Sequence, residues 1–260
     1  MPPTISIVTP CLNAAATIGR TLESVASQGY PGIEHIVVDG GSTDGTLELL
    51  AQFPDVKVIS EPDEGLSDAV NKGIALATGE LIGWLNADDW YLPGALAAVG
   101  GAADSTPRAE WFTGGCPILD GDGEEIRKGV TAYKSFLLRH YSLPLYLTQN
   151  FISCPATFMR ADALEQVGPL SLKYRYSVDY DLFLRLARRG GPVVLDKNLA
   201  VFVMAPGTLS MTGFDQQFSE HAEQARAHGA GHPIAVATNV IVSRLIVLAY
   251  RLLRFARRTG

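Results

Sequence analysis

Short apolar segments alternate with helical patterns along the first hundred residues. The strand-like segments are almost wholly apolar, and each ends at polar or turn-forming residues. They are residues 5–8, 35–38, 56–59 and 81–85. Between them apolar side chains recur every three or four residues, which predicts helices over 15–28, 46–52 and 67–78. Strands that alternate with crossover helices build a mostly parallel sheet, so the pattern predicts an α/β fold.

Turn-forming residues set the expected boundaries of these elements. Thr9 and Pro10 close the first strand, and Gly79 is expected to cap the helix that precedes the fourth strand. Residues 91–93 after that strand predict the start of a further helix.

The middle of the chain gives weaker patterns. Residues 110–116 predict a strand, and Asp120–Gly123 has the composition of a hairpin turn. Residues 133–147 predict one helix, which we expect to lie near an acceptor.

Polar side chains stand where the predicted strands end. Because parallel strands bring their carboxyl ends to one edge of a sheet, Thr9, Asp39, Asn86 and Asp88 are expected to share a rim. A nucleotide suits such a rim, since carboxylates accept from base or ribose and loop amides bind phosphate. An alternative interpretation of residues 39–46 is a tight turn that also caps the following helix. The segment lacks the glycine spacing of a dinucleotide fold or a phosphate loop, which disfavours a dehydrogenase or an ordinary ATPase.

Asp88 and Asp89 follow the fourth strand directly. Adjacent carboxylates repel each other unless a cation or a cluster of donors holds them. A divalent metal that carries a diphosphate is a suitable cation for hard oxygen ligands. An acidic turn that faces solvent is the alternative interpretation.

Composition narrows the class of protein. The 260 residues are 47% hydrophobic and 18% charged, and the net charge of −6 gives no basic field for nucleic acid. Three cysteines without a CxxC pair fit a reducing compartment and argue against structural zinc. The first residues show no basic, apolar signal pattern, so we expect no signal peptide and a cytoplasmic location.

Five motifs, taken in order, resemble those of family 2 glycosyltransferases. They are IVTPCLNAAATIGRTLESVASQ (7–28), HIVVDGGSTDGT (35–46), NKGIALATGELIGWLNADDW (71–90), CPATFM (154–159) and SVDYDLFLRL (177–186). The resemblance implies a GT-A fold, a Rossmann-like, mostly parallel sheet flanked by helices. It implies a nucleotide-sugar-binding half over 1–100 and an acceptor-binding half over 101–212, and it leaves 213–260 as a C-terminal helical tail.

The resemblance also assigns residues to the donor. Asp39 matches the acid that recognises the base of the sugar nucleotide, and Thr9 and Pro10 match the strand end packed near that base. Asp68 and Asn71 fall where the family contacts the nucleotide or the donor sugar.

Residues 86–88 match the family's DxD motif. Asp88 is then the ligand of Mn²⁺ or Mg²⁺, Asn86 faces the ribose, and Asp89 supports them. Asn86 departs from the motif, because an amide brings no charge to the metal. Asp179 matches the catalytic base, although an acid at a helix start is more often a cap or a dipole partner.

The implied reaction moves a sugar from a nucleoside diphosphate sugar, UDP-sugar first among them, to an acceptor hydroxyl with inversion. A surface polysaccharide or a glycolipid is the expected product. A nucleotidyltransferase is one alternative, and a non-enzymatic sugar-nucleotide-binding partner subunit, suggested by Asn86, is another.

The tail is apolar and basic. Residues 234–258 carry Arg244, Arg251, Arg254, Arg257 and Arg258. The segment is too broken for a membrane span, and it predicts an amphipathic helix. The helix either lies on the inner face of the plasma membrane, which favours a lipid-linked sugar acceptor, or packs on the catalytic domain or on a second subunit of a homodimer.

Overall fold

The computed structural model describes residues 1–204 and 213–259, and side chains as far as residue 248. The strands are β1 (Ile5–Cys11), β2 (Ile33–Asp39), β3 (Val56–Ser60), β4 (Leu81–Trp84), β5 (Trp90–Tyr91), β6 (Trp111–Gly115), β7 (Ile118–Leu119), β8 (Thr157–Arg160), β9 (Val193–Asn198) and β10 (Ala200–Val203). The helices are α1 (Ile18–Ala26), α2 (Thr46–Leu50), α3 (Leu66–Leu76), α4 (Ala95–Ser105), α5 (Lys128–Arg139), α6 (Leu143–Thr148), α7 (Ala161–Val167), α8 (Val178–Ala187), α9 (Phe214–His228) and α10 (Pro233–Thr259).

Seven strands form a central sheet in the order β3-β2-β1-β4-β8-β6-β9. Strand β8 runs antiparallel to β4 and β6, and the other neighbours pair in parallel. Strand β1 is buried along its whole length, as a strand covered on both faces must be. The predicted α/β fold with a mostly parallel sheet is therefore confirmed.

A smaller sheet of β5, β10 and β7 lies beside the end of β4. The prediction of a helix start at 91–93 is wrong, because Trp90 and Tyr91 pair with β10 and the helix begins only at Ala95. This small sheet brings residues about 110 positions apart into contact, which local patterns do not reveal.

Three other boundaries differ from the expected ones. Strand β1 does not close at Thr9 and Pro10 but continues to Cys11, since its pairing with β2 extends that far. Gly79 is not a helix cap. A side chain there would lie 2.5 Å from the backbone nitrogen of Ser6, so the glycine permits a close approach to β1. The single helix expected over 133–147 is two helices, because Ser142 caps a new one with a proline in its first turn.

The tail forms α10, which confirms the predicted C-terminal helix. Its inner face packs against α6 and α9, where Asn239 and Ser243 are buried. The side chains of Arg251, Arg254, Arg257 and Arg258 lie outside the described residues. No helix in the described part of the chain has the length and apolarity that a membrane span requires.

Candidate active site

The carboxyl ends of β1, β2 and β3 meet at one edge of the sheet. The register pairs Cys11 with Asp39 and Asp39 with Ser60. Asp39 is fully buried there and accepts hydrogen bonds from the hydroxyl of Ser60 at 2.7 Å and from the backbone amides of Gly41 and Ser42 at 3.1 Å. The carboxylate therefore orders the loop that follows β2.

These donors also decide the ionisation of Asp39. Burial alone would raise the pKa of this carboxyl, but the hydrogen bonds from Ser42, Ser60 and Gly41 outweigh burial and lower it. Asp39 is thus an anion held at the rim by the chain itself. Its role in base recognition stays a prediction.

Thr9 lies two residues before the end of β1 and is buried. Its hydroxyl is 2.9 Å from Nε2 of His35 on the neighbouring strand. Burial lowers the pKa of His35 to about 4, so this imidazole is neutral at pH 7. Pro10 is likewise buried within the strand. Both residues lie in the strand that leads to the rim. A contact of either residue with the nucleotide base stays a prediction.

The turn after β4 carries Asn86, Asp88 and Asp89. Asn86 accepts from the indole of Trp84 at 2.9 Å and donates to Oδ2 of Asp89 at 2.9 Å. The other oxygen of Asp89 accepts from the backbone of Val203 on β10 at 2.8 Å. Asp89 is fully buried, and burial followed by the charge of Asp88 raises its pKa well above the usual range. Asn86 and Asp89 thus brace the turn that presents Asp88.

Asp88 is the acid of this turn whose oxygens remain available. It is half-buried, and burial raises its pKa. The described residues contain no group of three acidic, histidine or cysteine side chains that could hold a metal by themselves. A single desolvated carboxylate fits a metal that brings diphosphate oxygens with it, which is how Mg²⁺ is usually bound. Asp88 would hold such a metal.

Asp179 lies in the first turn of α8, as expected. Its Oδ1 accepts from the backbone of Tyr180 at 2.8 Å, and its Oδ2 accepts from the amide of Asn150 at 3.3 Å. The hydroxyl of Tyr146 donates to Asn150 at 3.2 Å and fixes the orientation of that amide. Burial raises the pKa of Asp179, although these hydrogen bonds and Lys134 oppose the shift. A carboxylate with a raised pKa is suited to proton transfer.

Cys154 lies near both the turn after β4 and the start of α8. The thiol of Cys154 donates to the carbonyl of Trp84, the last residue of β4, at 3.6 Å. Burial raises the pKa of this thiol well above the usual range, and both Asp179 and Asp89 raise it further. Cys154 is therefore a buried thiol that is neutral at pH 7.

Helix α9 holds the segment that leads into α8. Glu220 is buried and accepts from the backbone amides of Arg175, Tyr176 and Ser177. Gln224 donates to the carbonyl of Ser177 at 3.0 Å. These four hydrogen bonds, three accepted by Glu220 and one donated by Gln224, fix the segment that leads to Asp179.

The same turn is braced from its other side. Asp181 forms an ion pair with Arg185, one turn further along α8, at 3.0 Å. Nε2 of His228, at the end of α9, lies 2.9 Å from the other oxygen of Asp181. Asp181 is therefore structural.

Asp68 and Asn71 both bond to other residues of the protein. Asp68 pairs with Lys72 at 3.1 Å. The amide of Asn71 both donates to and accepts from the backbone of Leu170, at 3.0 and 2.8 Å. The predicted contacts with the donor remain untested, and the geometry gives Asn71 a role in joining α3 to the segment before α8.

Sequence reasoning missed Lys134, Asn150 and Glu220. Lys134 reaches from α5 and donates to the hydroxyl of Ser153 at 2.9 Å. None of the three belongs to a short motif, and each reaches its partner across at least 19 residues of chain. An alternation of polar and apolar residues gives no signal for such contacts.

The fold is that of the GT-A glycosyltransferases. Staphylococcus aureus TarS (residues 1–349) in complex with UDP-GlcNAc is similar, with a TM-score of 0.70 and 18% identity over 86% of this chain and 66% of that one. A Pyrobaculum calidifontis mannosyltransferase, in complex with GDP-Man and Mn²⁺, gives a TM-score of 0.65 and 20% identity over 100% of this chain and 81% of that one.

The family follows from the sequence comparison. The model of glycosyl transferase family 2 matches residues 6–168, so the chain belongs to that family. The PGL/p-HBAD biosynthesis glycosyltransferase of Mycobacterium tuberculosis is 29% identical over 259 residues, which is 95% of each chain. The resemblance stated from the motifs is thus confirmed.

The hydrogen bond from Ser60 to Asp39 should stabilise the rim. We expect Ser60→Ala to lower the free energy of unfolding at pH 7 by about 1 kcal/mol, because Ser60 is exposed and its partner is charged. The pKa of Asp39 is lower in the folded protein, so its contribution is full above the unfolded pKa and is lost as the pH falls from there through the folded-state pKa. The difference between variant and wild type should therefore shrink as the pH falls through about 4.

Urea denaturation at pH 7 and at low pH measures this difference. Ser105→Ala is the matched control, since its hydroxyl bonds only a carbonyl of its own helix. A loss that does not change with pH would show that Ser60 does not act through the Asp39 charge.

Proposed function

We propose that this protein is an inverting glycosyltransferase that moves a sugar from a nucleoside diphosphate sugar, a UDP-sugar first among the candidates, to an acceptor hydroxyl. The observation that carries the proposal is the pair of desolvated carboxylates, Asp88 after β4 and Asp179 at the start of α8, in a chain of family 2. Residues 1–100 would bind the donor and residues 101–212 the acceptor. Assembly of a surface polysaccharide or a glycolipid is the proposed setting.

The donor half supplies an anionic rim and a candidate metal ligand. Asp39 would accept from the base, and Thr9 and Pro10 would support that contact from β1. When Mn²⁺ or Mg²⁺ is bound, it offsets the negative charge that develops on the departing diphosphate. Asp88 would hold this metal, while Asn86 and Asp89 keep the turn in place through the bonds described above. The mannosyltransferase that contains Mn²⁺ supports a metal of this kind.

Asp179 would act as the general base. An acceptor hydroxyl is a poor nucleophile at neutral pH, and a carboxylate within hydrogen-bond reach can take its proton as it attacks. Attack on the anomeric carbon from the side opposite the diphosphate inverts that centre in one displacement. The described cysteine thiols have raised pKa values because they are buried, so they are poor candidates for a covalent nucleophile.

We expect Asp179→Asn to lower kcat by about 100-fold to 10,000-fold while the affinity for the donor stays unchanged. The amide preserves the size of the side chain but cannot accept the proton. Steady-state kinetics on purified protein and calorimetric titration with the donor separate the two effects. Asp162→Asn, an exposed first-turn acid of α7, is the matched control and should keep full turnover. Undiminished turnover in Asp179→Asn would remove this residue as the base.

Donor class and metal dependence are tested together. We expect calorimetry with UDP, GDP, dTDP and CDP to show binding of UDP that Mn²⁺ strengthens. Asp88→Ala should weaken metal-dependent binding by at least about tenfold, because the metal loses its protein carboxylate. Asp122→Ala, in the exposed turn after β7, is the control. Equal affinities with and without metal would refute the metal role of Asp88, and binding of another nucleotide would reassign the donor.

Helix α10 carries an exposed apolar face. Ile234, Ile241, Leu245 and Leu248 are 82%, 58%, 59% and 53% exposed, and their spacing places them on one side of the helix. The chain from residue 224 to its end contains six arginines and no acidic residue, although the net charge of the whole chain is −6. An apolar face with basic residues and no acids complements an anionic lipid surface. We propose that this face, residues 234–258, contacts the membrane that carries the lipid-linked acceptor.

We expect the double variant Ile241→Ser, Leu245→Ser to lose at least about tenfold in partition to phosphatidylglycerol vesicles, since each side chain stabilises the bound state by about 1.5 kcal/mol. Sedimentation with the vesicles measures this partition. Point substitutions are preferable to truncation because the inner face of α10 is bonded to the catalytic domain. Leu76→Ser, an exposed leucine of α3, is the control. Equal partition would refute the membrane contact, and a dimer that the double variant dissociates would assign the face to a second copy.

A further inference from the structure

Lys134 places a positive charge inside the candidate active site. It lies on the otherwise exposed first half of α5, but its side chain turns inward and Nζ donates to the hydroxyl of Ser153. Burial lowers the pKa of this ammonium, and the neighbouring Cys116 and Asp179 raise it. A charge removed from water needs a counter-charge, since burying it unpaired is costly.

Asp179 is the carboxylate whose charge raises the pKa of Lys134. A short loop, residues 149–153, connects the two groups. At one end Ser153 accepts from Lys134 at 2.9 Å, and at the other Asn150 donates to Asp179 at 3.3 Å. Lys134 in turn lowers the pKa of Asp179. Lys134 and Asp179 are therefore bonded to opposite ends of the same short segment.

Two titratable groups on neighbouring segments are neutral at pH 7. Tyr146 on α6 and Cys154 after the loop both have pKa values raised by burial and, further, by the charge of Asp179 itself. Asn150 and the backbone of Tyr180 contribute dipoles but no charge. Among the described residues, Lys134 has the largest charge effect on Asp179.

We propose that Lys134 is a positioning residue for the base, which keeps Asp179 ionised in its buried site and holds loop 149–153 against it. The inference rests on the proposed function, in which Asp179 must be an anion to accept a proton. Burial favours the protonated form of Asp179. A fixed cation nearby favours the ionised form and so opposes the effect of burial. Lys134 on helix α5 thereby supports the proposed role of Asp179 on helix α8.

The pH dependence of turnover tests this role. In the wild type, kcat/KM should fall on the acid side as Asp179 is protonated. Lys134→Met removes the charge that lowers the pKa of Asp179, so the acid limb should move to higher pH by roughly one unit. The deficit of the variant should then be largest at low pH and shrink as the pH rises. Lys134→Arg should restore the wild-type profile, and Lys128→Met, at the exposed start of α5, should not change it.

A purely structural role would lower kcat/KM equally at every pH, and that result would overturn the proposal. A double-mutant cycle tests the pairing through stability. The quantity measured is the midpoint of urea denaturation. Lys134→Met should lower the midpoint in the wild type and lower it less in Asp179→Asn, where no charge is left to compensate. Equal losses in both backgrounds would refute the pairing whether or not the protein is an enzyme. Retained turnover in Asp179→Asn alone would instead refute the base assignment.

Discussion

The buried carboxylate of Asp89 fixes the geometry on which the donor site depends. One oxygen accepts from Val203 on β10 and the other from Asn86 in the turn after β4, while its carbonyl accepts from Thr21 on α1. Three elements far apart in the chain thus meet at one fully buried residue. Leaving any of these buried polar groups unpaired would cost about 1–3 kcal/mol, so each of these bonds restricts the turn. Asp88, the next residue, owes its position to that restriction.

The departure of Asn86 from an acidic pair acquires a physical reason in this setting. An ionised carboxylate at 86 could not donate the 2.9 Å hydrogen bond to Asp89, and two acids so close would each disfavour the ionisation of the other. The amide instead donates to Asp89 and accepts from Trp84. The substitution therefore stabilises the turn and leaves Asp88 as the carboxylate that can accept a metal.

The local sequence predicted those elements whose formation depends on neighbouring residues. The apolar runs located the strands of the donor half, and because parallel strands share an edge, they also placed Asp39 and Asp88 at strand ends. Residues 91–93 were misassigned because pairing with β10, far along the chain, overrides their helical pattern. Lys134 and Glu220 were invisible for the same reason, since their partners are set by tertiary packing and not by periodicity.

The tail is connected to the segment around Asp179 through buried hydrogen bonds. Asn239 on α10 donates to the carbonyl of Leu147 at 3.0 Å and lies 3.4 Å from the hydroxyl of Tyr180, which follows Asp179. That hydroxyl donates to the carbonyl of Tyr146, whose own hydroxyl donates to Asn150, the residue bonded to Asp179. Low-polarity surroundings strengthen each of these bonds and make each unpaired group costly. A helix that exposes one apolar face to its surroundings is therefore, through its other face, part of the scaffold that orients Asp179. This arrangement explains how an amphipathic helix can be required for the fold of the site even where it contacts no substrate.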